Sequence, residues 1–176
     1  ASGGRQKRKD PKFGNVYDHF SVVYEYGDGK KSFFSCRQQN DTAPSYAVEL
    51  VGDKGRCIVD CRTGAHTIVG EKPWSYADDT KFTNENAYKE NSSRSMYQQE
   101  HDELFAGIRN NKPKHDGDWM FKSNLVALAG RMAGYSGQKV TLDDALASNV
   151  VLFPENVSWD MKYSLPISTP GVDTKI

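Results

Sequence analysis

The sequence predicts an α+β fold: a mostly antiparallel sheet of about five or more strands, built as a meander, with about three helices packed on one face. Three observations predict it. Apolar residues alternate with period two between Asp18 and Gly70. They recur at helical spacing between Tyr97 and Tyr135. The strands precede the helices rather than alternating with them, which disfavours a parallel sheet.

From Asp18 to Tyr26, Phe20, Val22, Tyr24 and Tyr26 fall on one side and His19, Ser21, Val23 and Glu25 on the other, the pattern of a strand with one buried face. Gly27-Asp28-Gly29 supplies a tight turn into Lys31–Arg37, which makes the two runs a hairpin. Tyr46–Val51, a turn at Gly52–Gly55, Arg56–Asp60, a turn at Arg62–Gly64 and Ala65–Gly70 continue the meander. Residues 71–95 are polar and without a clear period, so they read as a long surface connection. Ser95 and Gln98 fit a capping box. The helix they open carries Tyr97, His101, Leu104, Phe105 and Ile108 on one face until Pro113 stops it. A second helix runs from about Asp118 to Tyr135 on a stripe of Phe121, Leu125, Leu128, Met132 and Tyr135, with Gly137 as its stop. Gly130 and Gly134 on that helix predict close packing. Thr141 to Asp144 caps a short third helix, so helices occupy about 96–149, and residues 150–176 form an extended tail. Residues 1–14 read as a solvated basic arm ahead of one domain, 15–176, whose sheet spans about 15–70.

Composition removes several function classes. Basic and acidic residues balance at 23 each, which argues against nucleic acid as a partner. No run approaches the ~18–20 apolar residues of a membrane span, so a soluble chain is expected. The three cysteines are an odd number. Cys57 and Cys61 on one strand would stand roughly 13 Å apart, beyond the ~7 Å limit for a bridge. A zinc reading would recruit Cys57, Cys61, His66 and Cys36, but that spacing fits no common finger, and buried thiols are the simpler reading. No metal is therefore assigned.

The catalytic motifs are few. Glu71-Lys72-Pro73 matches the catalytic-lysine tripeptide of a large class of sugar dehydrogenases, but no glycine-rich turn precedes it. The one Gly-x-Gly, at Gly27–Gly29, sits inside the hairpin and opens no helix. His101 lies on the apolar stripe of its helix and reads as a core residue with a satisfied hydrogen bond. Sequons at Asn40, Asn91 and Asn156 do not establish secretion. The second hairpin strand offers Phe33, Ser35 and Arg37 on one side and Phe34, Cys36 and Gln38 on the other, so neither face is uniformly polar and the sheet is expected to have a partner.

The stretch from Ser95 to Pro154, with E-H-x-x-x-F-x-x-x-I-R and G-R-M-A-x-Y-x-G-Q-x-V-T, resembles the C-terminal part of the glucose-fructose oxidoreductase / inositol dehydrogenase (Gfo/Idh/MocA) family. Gly3–Gln6, Gly14–Tyr26 and Cys36–Gln38 are similar to that family's sheet region. The resemblance implies a two-domain enzyme whose nucleotide-binding half, catalytic lysine and catalytic Asp-x-x-x-His all precede Gly3. Glu71–Pro73 matches a variable loop of the family and inherits no role. This chain is then expected to be the C-terminal substrate-binding and oligomerisation domain of a bacterial NAD(P)-dependent sugar or polyol oxidoreductase, inactive alone. No cofactor is expected in it, although NAD or NADP serves the whole enzyme. Its expected partners are a second copy through the sheet, the nucleotide-binding domain and a sugar-like small molecule. The compartment is bacterial cytoplasm or periplasm. Arg5, His19, Arg37 and Gln38 are the residues expected to meet sugar hydroxyls or the interface. The alternative is a non-enzymatic α+β binding or self-association module.

Overall fold

A computed structural model describes residues 1–61, 65–76, 96–154, 156–161 and 166–173. The chain divides into two compact units, residues 1–42 with 116–176, and residues 43–115. The α+β class holds: all strand pairs are antiparallel, and three helices accompany them. The strands do not form one meander, however. They divide into a sheet of three and a sheet of four. The connection between them carries Pro44, which donates no amide to a ladder, and Asp41 with φ of 63°.

In the first unit β1 (Ser2–Gly4), β2 (His19–Glu25) and β3 (Lys31–Arg37) lie in the order β1-β2-β3. The predicted hairpin is present, with Phe20 opposite Cys36 and Val23 opposite Phe33. β1 was expected to be solvated arm. It pairs because Gly3 has no side chain: a Cβ there would lie 2.9 Å from the His19 carbonyl oxygen and 3.0 Å from the Tyr17 and Phe20 rings.

The helices α2 (Gly117–Ser136) and α3 (Leu142–Ala147) complete this unit, α2 packing on β1 and β2 and α3 on α2. The buried face of α2 is Ala129, Gly130, Ala133, Gly134, Tyr135 and Ser136. Of the expected stripe only Tyr135 is buried, while Phe121 and Leu128 are exposed. The reason is close approach. A Cβ on Gly134 would come within 2.6 Å of the Phe20 ring, and one on Gly130 would meet the Tyr24 hydroxyl, so only small residues fit beneath these aromatics. Tyr135 stacks on Tyr17 at 4.2 Å, and its hydroxyl accepts the Tyr17 amide at 2.8 Å. The Tyr17 hydroxyl in turn donates to the Ser168 carbonyl at 2.7 Å, which ties the tail to the core. Gly137 ends α2 in the left-handed region, and the Thr141–Asp144 capping box starts α3, both as predicted.

In the second unit β4 (Ala47–Gly52), β5 (Gly55–Asp60), β6 (His66–Gly70) and β7 (Trp74–Ser75) form an up-and-down antiparallel sheet, accompanied by α1 (Met96–Arg109). The predicted strands are present, and β7 adds a short pairing inside the segment read as loop. The Arg62–Gly64 turn and the Ser95 cap lie outside the described residues. No described residue of this unit is buried. Within this unit α1 packs on none of the described strands, so it does not cover the sheet as expected. His101, expected in a core, is exposed, its Nδ1 2.8 Å from the Tyr97 carbonyl oxygen. No helix among the described residues is long and apolar enough to cross a membrane.

Candidate functional site at the Asp18–His19 pair

Asp18 ends the segment leading into β2 and is 2% exposed. A buried carboxylate is costly unless its lone pairs are filled, and here they are. Its Oδ2 accepts the backbone amides of Gln6, Lys7 and Arg8 at 2.8, 2.7 and 2.9 Å. Its Oδ1 accepts Gln39 Nε2 at 3.0 Å and lies 2.8 Å from His19 Nδ1. The backbone is held as well, the Asp18 amide donating to Gly4 and its carbonyl accepting from Gln38. Burial alone would raise this carboxyl. The hydrogen bonds from the Arg8 amide, His19, Gln39 and the Lys7 amide outweigh it and hold the group well below the usual carboxylate range.

Arg5 closes the loop that delivers these amides. Its guanidinium donates to the carbonyls of Arg8 and Gly14, the latter at 2.8 Å. Arg8 donates to the Gln38 carbonyl at 2.8 Å, joining the arm to the end of β3. Of the residues expected at a site, Arg5 is thus spent on the loop, and His19 stands on the carboxylate. Arg37 faces His19 across the β2–β3 ladder and is exposed. Gln38 contributes its backbone on both sides, its amide to Asp18 and its carbonyl to Arg8. Sequence reasoning missed Asp18 and Gln39. The only signal for Asp18 was an acid immediately before an apolar strand, and nothing in the spacing marked the arm as its partner.

The ionised carboxylate only accepts hydrogen bonds, so the proton in the His19 contact sits on Nδ1. Nε2 has no hydrogen-bond partner among the described residues, and in the neutral ring it carries the lone pair. His19 lies on the sheet face opposite α2, together with Ser21, Val23 and Glu25 and, across the ladder, Arg37, Ser35, Phe33 and Lys31. This face runs from the His19–Arg37 end, through paired serines, to Phe33, which is 78% exposed, and the Glu25–Lys31 ion pair at 3.1 Å. Hydroxyl-bearing, charged and aromatic side chains thus share one exposed face.

The other motifs do not assemble. All three cysteines are unpaired, Cys36 is exposed, and Cys57 and Cys61 are half-buried, so none is the buried thiol expected. Among the described residues no group of three metal-binding side chains forms. Glu71-Lys72-Pro73 lies exposed between β6 and β7. Gly27–Gly29 turns β2 into β3 and opens no helix, so this turn is not the dinucleotide fingerprint arrangement. Set against family models, curated proteins and solved structures, the chain gives no match in any of the three.

Proposed function

We propose that this chain is the substrate-shaping and self-associating domain of an NAD(P)-dependent sugar or polyol oxidoreductase of the Gfo/Idh/MocA kind, without catalysis of its own. One observation carries the reading. Three separate segments that bear the resemblance meet at Asp18: Gln6 donates its amide to the carboxylate, His19 stands against it, and Gln38 donates its amide to the Asp18 backbone carbonyl. In the whole enzyme, hydride passes between a substrate carbon and a nicotinamide held by the other domain, and His19, Arg37 and Gln38 belong to the wall that meets the substrate or a second subunit.

The test is a thermal-shift titration with NAD(H) and NADP(H). A ligand at about 100 times its dissociation constant adds about 2.7 kcal/mol of stability. The expected result is a cooperative melt that neither nucleotide moves. An upward shift would place a complete dinucleotide site in these residues and overturn the reading. The second reading, a non-enzymatic self-association module, is favoured by one observation: residues 43–115 bury no described side chain and expose Tyr46, Val48, Leu50 and Val51. Both readings expect self-association in sedimentation equilibrium, and only the first expects a sugar to bind.

A further inference from the structure

We draw no further inference here: the strongest candidate, the apolar surface patch of the packed α2–α3 pair on which Phe121, Leu128, Leu142 and Leu146 are exposed, carries nothing because no observation in the structure shows what covers it.

Discussion

Residues 1–42 with 116–176 contain every buried residue among those described, whereas residues 43–115 contain none. Both units present antiparallel strands with apolar side chains, so strand content does not explain the difference. A second layer does. β2 has α2 against one face, with Phe20 and Tyr24 lying over Gly134 and Gly130, while α1, the helix of their own unit, does not pack on β4 to β7. An apolar strand becomes core only when something covers it. The contrast teaches that burial among the described residues is concentrated where small residues let a helix come close, and the following variants break or sharpen it.

The largest effect is expected at Asp18. Asp18→Ala leaves three backbone amides, Gln39 and His19 around an empty position. Breaking a buried charged network of this kind costs about 3–5 kcal/mol. Urea denaturation should show that loss, and hydrogen exchange should show β1 opening while β5 amides stay as they were. Acid probes the same group. The folded Asp18 carboxyl is held below its unfolded value of about 3.9, so the stability it contributes is complete above that pH. It is lost progressively as the pH falls below about 4. Asp18→Asn should flatten that part of the stability profile, and a variant that lost stability in acid as steeply as the parent would show that other carboxylates dominate.

The helix contact is next. Gly134→Ala gains helix propensity of about 1 kcal/mol but drives a methyl to within 2.6 Å of the Phe20 ring. Overpacking of this sort costs about 1–3 kcal/mol, so the thermal midpoint should fall. Phe20→Ala in the same background should remove most of the penalty, and a double-mutant cycle without coupling would mean that the helix does not rest on that ring.

These two sites also show how far the fold was legible. Period-two runs located β2 to β6, helical spacing located α1 and α2, and the Thr141–Asp144 cap located α3, because those patterns are local. The glycine pair announced close approach correctly, yet Phe121 and Leu128 were assigned to the buried stripe, because periodicity shows which residues share a face and not which face finds a partner. The same limit applies to α1, whose apolar stripe is clear and exposed. At the candidate site His19 and Arg37 were visible as polar residues on a strand. Asp18 was not, because its partners are backbone amides of Gln6, Lys7 and Arg8, and backbone amides carry no signature in a sequence. The division into two sheets was equally hidden, since alternation along a strand does not say which strand it pairs with.

A smaller effect is expected at the α3 cap. The Thr141 hydroxyl accepts the Asp144 amide at 3.0 Å, while the Asp144 carboxylate accepts the Thr141 amide at 2.9 Å. Removing such a cap costs about 1 kcal/mol. Because α3 packs on α2 at the margin of the first unit and buries no residue, Thr141→Ala should fray α3 in hydrogen exchange and leave the Asp18 cluster intact. A full loss of cooperativity would place α3 inside the folding unit rather than at its edge.

The smallest effect on stability is expected where the second unit is most open. Leu50 on β4 is 62% exposed and stands opposite Cys57, with Val48 and Ile68 on the same face. Substitution of a residue that touches so little changes stability by no more than about 0.5 kcal/mol, so Leu50→Lys should leave the urea midpoint where it was. Association is another matter. β4 is an edge strand, and an edge with an apolar face invites pairing that an inserted lysine opposes. If this face is where copies meet, sedimentation equilibrium should show the variant dissociating at concentrations at which the parent holds together. A variant that loses several kcal/mol instead would show Leu50 to be part of a core, and the contrast between the two units would have to be drawn differently.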